Sequence, residues 1–146
     1  MGIVWSIFPQ YIPHSLYMIE ILPGLPRKKK KKEQDITPKI LKWFREKYKQ
    51  SCAIEIKITN TDTFSHNKLE EHQLKALLEA QNGSLVHKIV DTRRRNPFDA
   101  FMLYNSSSWI VIYFTKHKIC IALSPKTLQK TNKITYTTKS ELDIVL

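Results

Sequence analysis

The chain of 146 residues has the length of one domain, large enough for one hydrophobic core and too short for two. Its formal net charge of +11, from 24 basic and 13 acidic residues, favours a polyanionic partner. We expect this partner to be nucleic acid, with an anionic membrane surface as the alternative. Cys52 and Cys120 both lie in apolar runs, which indicates buried thiols in a reducing cytoplasm and argues against a disulfide framework or a zinc site.

The first 33 residues predict an irregular N-terminal arm. Residues 1–26 are rich in Ile, Trp, Phe and Tyr, and no basic segment precedes them. Four prolines interrupt this stretch: Pro9, Pro13, Pro23 and Pro26. A transmembrane helix needs about 20 uninterrupted apolar residues and a signal peptide begins with a basic segment, so we expect neither. The apolar residues of the arm would pack on the domain or on a second subunit.

A basic run, Arg27–Lys32, closes the arm. It predicts a flexible DNA tether in which Lys28, Lys29 and Lys30 contact phosphates. A solubility tract and a nuclear-type signal are the alternatives, and the sequence does not decide among the three.

A helix is predicted over residues 38–50. Thr37 would cap it, and Pro38 suits the first turn, where a proline loses no hydrogen bond. Ile40, Phe44 and Tyr48 then follow at helical spacing.

The next segment, Cys52–Thr59, predicts a strand that carries the most informative pair of residues. Side chains in a strand alternate between faces, so Glu55 and Lys57 share one face while Ile54, Ile56 and Ile58 share the other. A carboxylate can hold Mg2+, and a neighbouring lysine can orient a water beside the metal, which is the minimum apparatus for phosphodiester hydrolysis. The alternative is a solvated ion pair on an exposed sheet face.

A second helix and a sheet follow along the chain. Asn67 with Glu70 resembles a capping pair, and a stripe of leucines after it ends at Asn82-Gly83. Four apolar runs then predict strands: Leu85–Val90, Asp99–Tyr104, Trp109–Phe114 and Lys118–Leu123. Residues 105–108 predict a hairpin turn between the middle two.

The predicted fold class is therefore α/β or α+β, with a mixed central sheet flanked by helices. We expect a core domain over residues 34–125 and a C-terminal extension over 126–146, with a weak strand signal near Ile134–Thr138.

Two further positions are candidates for the site. Asp99 opens a strand after Asn96-Pro97-Phe98 and could be a metal ligand, although an aspartate at this place can also simply end a loop. His72 lies on the second helix, and because position 76 is Ala rather than a second ligand, we expect His72 to be a surface residue.

In this order, the motifs resemble the PD-(D/E)XK nuclease superfamily. The Glu-x-Lys strand followed by a helix with Glu71-His72-Gln73 is similar to RecU-type Holliday-junction resolvases, and the resemblance covers roughly residues 38–123. It rests on five segments: Ala53–Lys57, Glu71–Leu78, His87–Asp91, Asn96–Phe101 and Trp109–Phe114. It implies a restriction-endonuclease-like fold and a Mg2+-dependent endodeoxyribonuclease in which Mn2+ can substitute, without an organic cofactor.

The chain departs from the usual superfamily pattern. There the metal-binding aspartate comes first and Glu-x-Lys follows after a hairpin, whereas here the residues after Asp99 and its hairpin are Val111–Phe114, without an acid or a lysine. Either the site has migrated, so that Glu55 and Lys57 reach the metal from an adjacent strand, or it is degenerate.

On the migrated interpretation, the resemblance implies a role for each residue. Glu55 and Asp99 would hold Mg2+, Lys57 would position the attacking water and stabilise developing charge, and Gln73 would orient ligands or phosphate. Asp91 and Glu46 are additional acids that could join them.

Arg93, Arg94 and Arg95 immediately precede this region and would grip the DNA backbone; a solvated loop is the alternative.

Three function classes remain open. The first is a metal-dependent DNA endonuclease, in the form of a junction-resolving enzyme acting as a homodimer on branched DNA in the cytoplasm, the host's cytoplasm if a phage encodes it. The second is a non-catalytic nucleic-acid-binding protein on the same fold. The third is a basic membrane-surface or interaction protein that uses the apolar arm and the lysine run.

Overall fold

The computed structural model describes residues 33–89 and 98–146, all of which belong to one compact unit, Lys31–Leu146. The predicted arm with Lys28–Lys30, and the loop with Asp91 and Arg93–Arg95, lie outside the described residues. The helices are α1 (Glu33–Trp43), α2 (Glu71–Asn82) and α3 (Pro125–Lys130), with a π-helical turn after α1 (Phe44–Tyr48) and a 3-10 turn before α2 (His66–Lys68). The strands are β1 (Cys52–Thr59), β2 (Thr63–Ser65), β3 (Ser84–Lys88), β4 (Ala100–Tyr104), β5 (Ser107–Phe114), β6 (Ile119–Leu123) and β7 (Lys133–Thr135).

The architecture is mixed α/β with a central mixed sheet flanked by helices, which confirms the predicted fold class. The central sheet has the order β1-β5-β6, in which β5 is parallel to β1 and antiparallel to β6. Strand β5 takes the middle place because its run of apolar residues is buried on both faces. Two antiparallel pairs, β2 with β7 and β3 with β4, lie outside this sheet.

A separate hydrophobic cluster covers each face of the central sheet. On one face, Ile36 and Ile40 of α1 and Phe44 pack against Ile56 and Val111. On the other face, the cluster joins α2, α3 and the β2–β7 pair to the sheet through Leu77, Leu128, Phe64, Ile134 and Ile112. The sheet therefore forms the middle layer of the described unit, with helices on both sides.

The segment predicted as a C-terminal extension packs into these clusters. Leu128 and Ile134 are fully buried, and Ile144 is nearly so. The edge strand β6 is also bonded to this segment, because the Ala122 N–H donates to Ser140 Oγ at 2.8 Å and the Glu141 N–H donates to the Ala122 carbonyl at 2.8 Å. Residues 126–146 thus contribute to the same core as residues 34–125.

The predicted start of the first helix at Pro38 is wrong, because α1 already includes Glu33–Thr37 and has Pro38 in its interior. Pro38 has no N–H for the carbonyl four residues earlier, which costs α1 one hydrogen bond. The hydroxyl of Thr37 donates to a different carbonyl, that of Glu33, at 2.8 Å. Burial of Ile36 one turn before Ile40 explains the earlier helical residues, since the apolar stripe extends past the proline.

The predicted hairpin between the strands on either side of residues 105–108 is also wrong. Strand β4 pairs with β3, while β5 pairs with β1. The backbone N–H groups of Asn105 and Ser106 donate to the carbonyls of Gly83 and Ala80, both at 2.8 Å, so this connection is bonded to the end of α2. Asn105 has φ 44, a left-handed conformation that asparagine tolerates, and it redirects the chain between the two sheets.

Candidate active site

Strand β1 presents Glu55 and Lys57 to helix α2, as the predicted alternation requires. Ile54, Ile56 and Ile58 point to the α1 side of the sheet, and Ala53, two residues before Glu55, packs into the α2 side. The Lys57 Nζ lies 2.9 Å from Glu55 Oε1, and the side chains of Lys57 and Glu55 are only 18% and 23% exposed. The alternative, a solvated ion pair on an exposed sheet face, does not describe this geometry, because both side chains are mostly buried.

Gln73 joins the pair from the first turn of α2. Its Nε2 donates to Glu55 Oε1 at 2.8 Å, and its Oε1 accepts from the Glu70 N–H at 3.2 Å. The second bond is half of a capping box, in which the third helical residue bonds back to the cap residue. Because the cap requires the amide oxygen, the amide nitrogen must face Glu55, so the helix start fixes which way Gln73 points.

The predicted cap at Asn67 is therefore wrong, and Glu70 is the residue that caps α2. Asn67 instead belongs to the 3-10 turn that precedes the helix. The sequence allows two capping pairs, Asn67 with Glu70 and Glu70 with Gln73, and local spacing does not distinguish them. The helix begins after Glu70 because Glu70 and Gln73 bond to each other's backbone N–H groups. This choice of cap is what aims Gln73 at β1.

We call Glu55, Lys57 and Gln73 the β1–α2 trio. One carboxylate oxygen accepts from an ammonium and from an amide, so the charge of Glu55 is neutralised by a partner held within hydrogen-bonding distance. The exposed pair Lys42–Glu46 makes a useful comparison, with 4.0 Å between charges and side chains 65% and 51% exposed. Reduced contact with water makes the trio's interactions stronger than those of such a surface pair.

The carboxylate of Glu55 is the type of ligand that Mg2+ prefers. Mg2+ prefers oxygen ligands and is commonly bound by one or two carboxylates together with waters and substrate phosphates. Glu55 supplies one such carboxylate, and the bonds from Lys57 and Gln73 both use its Oε1. Across residues 33–89 and 98–146, no group of three or more His, Cys, Asp or Glu side chains could hold a metal ion. A site here would therefore depend on few protein ligands and on the substrate.

Asp99 makes no described contact with the β1–α2 trio. It is exposed and directly precedes β4, and its carbonyl accepts from the Ile89 N–H at 2.8 Å, which extends the β3–β4 ladder. Among the described residues, no hydrogen bond or ion pair joins its side chain to Glu55. Its pairing with Glu55 as a metal ligand stays a prediction.

The other candidate residues are placed as follows. Glu46 is exposed, pairs with Lys42, and belongs to the turn that packs on the opposite face of β1 from Glu55. His72 is exposed, with Nδ1 3.2 Å from Glu70, which confirms its prediction as a surface residue. A groove of about 560 Å3 is lined by α2 and by Gly83 and Ser84, and neither Glu55 nor Lys57 lines it.

One charged cluster has no counterpart in the sequence analysis. Asp62 Oδ1 lies 2.7 Å from His117 Nε2 and 3.0 Å from Lys116 Nζ, and the His117 ring stacks on Tyr136 with centroids 3.7 Å apart. Hydrogen bonds from His117 and Lys116 hold the pKa of the Asp62 carboxyl below its usual value. The partners are more than fifty positions apart, so no local pattern could reveal them. Their contacts tie the β1–β2 loop to the β5–β6 turn.

No helix within the described residues is long and apolar enough to cross a membrane. The chain matches no protein-family model, no curated protein and no solved structure.

Proposed function

We propose that the protein is a Mg2+-dependent DNA endonuclease of the PD-(D/E)XK kind, similar to RecU-type junction-resolving enzymes. The observation that carries this proposal is the β1–α2 trio: a carboxylate, a lysine and a glutamine bonded together on one face of a strand. These three residue types are the ones that the resemblance assigns to metal binding, catalysis and orientation.

The register of the central sheet supports the migrated form of the site. The resemblance expects Glu-x-Lys at Val111–Phe114, which belongs to β5, and β5 is the direct neighbour of β1. Glu55 is paired with Ile110 and Lys57 with Ile112, and these isoleucines belong to the cluster on the α2 face. An acid and a lysine on β1 therefore lie one strand away from the expected place, on the side of the sheet that Ile112 and Phe114 also face.

In the proposed mechanism, Glu55 and Asp99 would hold Mg2+, and the ion would supply charge stabilisation at the scissile phosphate. Lys57 keeps a positive charge beside the carboxylate, where it orients the attacking water and offsets the negative charge that develops on the phosphate oxygens. Gln73 holds the Glu55 carboxylate in place through an amide that the helix cap has already oriented.

DNA is the proposed partner, bound by the excess of positive charge. Arg93, Arg94 and Arg95, together with Lys28, Lys29 and Lys30, are the proposed phosphate contacts. We further propose a homodimer, because a two-fold assembly matches the symmetry of branched DNA, and a cytoplasmic location, in the host if a phage encodes the chain.

A non-catalytic nucleic-acid-binding protein on this fold is the second candidate. The observation in its favour is that the exposed Asp99 makes no described contact with Glu55, so the two acids are not seen together. The described ion pair of Glu55 is with Lys57. In that case Glu55 and Lys57 would act as a structural ion pair.

Cleavage of labelled four-way-junction, flap and linear DNA with Mg2+ or Mn2+ separates the two candidates. The variants Glu55→Gln and Asp99→Asn remove one charge each, and the glutamine can still accept hydrogen bonds from Lys57 and Gln73. The endonuclease proposal expects metal-dependent cutting that both variants lose. Wild-type protein that binds each DNA without cutting any of them would support the binding protein instead.

A further inference from the structure

The β3–β4 hairpin exposes an apolar surface that no other part of the described chain covers. In this antiparallel pair, Val86 lies opposite Met102 and Ser84 lies opposite Tyr104, so these side chains share one face with Lys88. Val86, Met102 and Tyr104 are 64%, 63% and 67% exposed. We call Val86, Lys88, Met102 and Tyr104 the hairpin face. Single exposed apolar residues are ordinary, but three contiguous ones on a sheet face indicate a binding surface.

The opposite face of the same hairpin is different. There Leu85 and Leu103 are half-buried, while His87 and Phe101 are exposed, Phe101 at 42%, and pack on each other across the strands with ring centroids 5.2 Å apart. Phe101 thus has a partner within the hairpin, while Tyr104 has no ring contact in the described chain.

The charged residues of the hairpin indicate which class of partner the hairpin face would bind. Lys88 is the charged residue of the hairpin face, His87 lies on the opposite face, and β3 and β4 carry no acidic residue, in a chain with a net charge of +11. A polyanion therefore fits better than a neutral or basic protein surface. A second copy of the chain fits poorly, because three exposed side chains supply much less than the roughly 800 Å2 per partner of a stable interface.

We infer that the hairpin face binds an unpaired nucleic-acid strand, with the Tyr104 ring stacking on a base and Lys88 contacting the backbone. Exposed aromatic rings on β-strands beside lysines are the general means of binding single strands, because every base has a π face and every linkage carries a phosphate. Met102 and Val86 provide the apolar floor next to the ring. Duplex DNA cannot use this surface in the same way, because its bases are already stacked.

This inference rests on the proposed function only for the choice of nucleic acid as partner, and it deepens that proposal by naming, among branched DNA substrates, those that carry an unpaired strand such as a flap. The hairpin begins directly after α2, and the helix rise from Gln73 to Asn82 is about 14 Å. A strand held at the hairpin face would therefore lie within a few nucleotides of the β1–α2 trio.

Fluorescence anisotropy with a labelled oligothymidylate of about 15 nucleotides and a duplex of equal length tests the inference. The full chain is used in EDTA, so that binding is read without cleavage. Tyr104→Ala and Tyr104→Leu remove the ring, and Tyr104→Leu keeps an apolar side chain in case the alanine variant folds poorly. Phe101→Leu is the matched control, since it removes a ring from the other face of the same hairpin.

We expect both Tyr104 variants to bind the oligothymidylate about tenfold more weakly, the scale of one lost stacking contact, and Phe101→Leu to bind like the wild type. Duplex affinity should change by much less. Equal losses in Tyr104→Leu and Phe101→Leu, or none in either, would overturn the inference. So would wild-type protein that binds phosphatidylserine vesicles through Tyr104 and shows no single-strand affinity. A wild type that never cuts DNA, yet loses single-strand binding with Tyr104→Leu, would refute the endonuclease proposal alone.

Discussion

Replacement of Lys57 by methionine removes the ammonium from the trio while keeping an unbranched side chain of similar length. In the wild type, this ammonium lies 2.9 Å from Glu55 Oε1, and both side chains are about four-fifths buried. Methionine keeps a side chain of similar volume at this mostly buried position, so the substitution tests the charge rather than the volume.

The cost to folding follows from the partial burial of the pair. Exposed ion pairs contribute roughly 0.2–1 kcal/mol, and removing one partner of a fully buried pair costs roughly 3–5 kcal/mol. Gln73 still donates to Glu55 in the variant, so the carboxylate keeps one partner. We expect the free energy of unfolding to fall by about 1–2 kcal/mol, which lowers the melting temperature by about 2–8 °C in a chain of this size.

The effect on DNA should separate cutting from binding. Loss of a charge that stabilises the transition state lowers the cleavage rate about 100-fold or more. Affinity for DNA should change little, because Lys57 is one of 24 basic residues, and the salt dependence of binding should fall by at most about one released counterion.

Lys42→Met is the matched control, because it breaks an ion pair whose two side chains are more than half exposed and which lies on the other side of the sheet. Its stability should fall by about 0.5 kcal/mol or less, and its cleavage should remain. Single-turnover kinetics measure the cleavage rate, anisotropy in EDTA measures the DNA affinity, and thermal melting measures the stability. A Lys57→Met protein that cuts as fast as Lys42→Met would refute the catalytic role, and one that is folded but has lost DNA affinity would show a binding role instead.

Three further substitutions test other parts of the account. Gln73→Glu keeps an acceptor for the helix cap but sets a second carboxylate beside Glu55, so cleavage should fall while circular dichroism stays native; undiminished cleavage would contradict the positioning role. Ser108→Ala removes a buried donor, 2.8 Å from the Leu77 carbonyl, and should lower the unfolding free energy by about 1–3 kcal/mol in urea titrations; an unchanged value would mean that this bond contributes nothing. The lowered pKa of Asp62 stabilises the folded state above the ordinary value of 3.8, and this contribution is lost as the pH falls through the lower folded value. Asp62→Asn should therefore melt below the wild type at neutral pH and close to it in strong acid, and an equal gap at both would contradict the argument.

The sequence predicts the parts of this fold that depend on local periodicity. Alternation in Cys52–Thr59 correctly separates Glu55 and Lys57 from the isoleucines, because the two faces of β1 meet different clusters. The strand at Trp109–Phe114 is likewise found, since a continuous apolar run is typical of a buried middle strand.

Strand partners are not encoded in local patterns, which explains the wrong hairpin at residues 105–108. The pairing of β5 with β1 joins residues more than fifty positions apart, and the bonds from Asn105 and Ser106 to α2 become visible only in three dimensions. The short strands β2 and β7 have three residues each, too few for a period to be detected.

Local patterns also predict only part of the candidate site, because some of its contacts join residues that are distant in the sequence. The β1 strand places Glu55 beside Lys57 by its period of two, whereas Gln73 is eighteen positions away and only the resemblance indicates it. Its contact with Glu55 depends on the cap at Glu70, whereas the sequence pattern alone favours a cap at Asn67. Asp99 shows the remaining limit, because no sequence pattern fixes how the end of the β3–β4 hairpin lies relative to β1.

The central claim, that Glu55 is the carboxylate of a metal-dependent nuclease site, is tested most directly by the single-turnover rate of four-way-junction cleavage in Mg2+ for the wild type and Glu55→Gln. The glutamine can keep both hydrogen bonds to the trio, so a folded variant differs in charge alone. The account predicts cutting by the wild type that EDTA abolishes and a rate lower by about 100-fold or more in Glu55→Gln. Equal rates for the two proteins, or no cutting by the wild type, would contradict it.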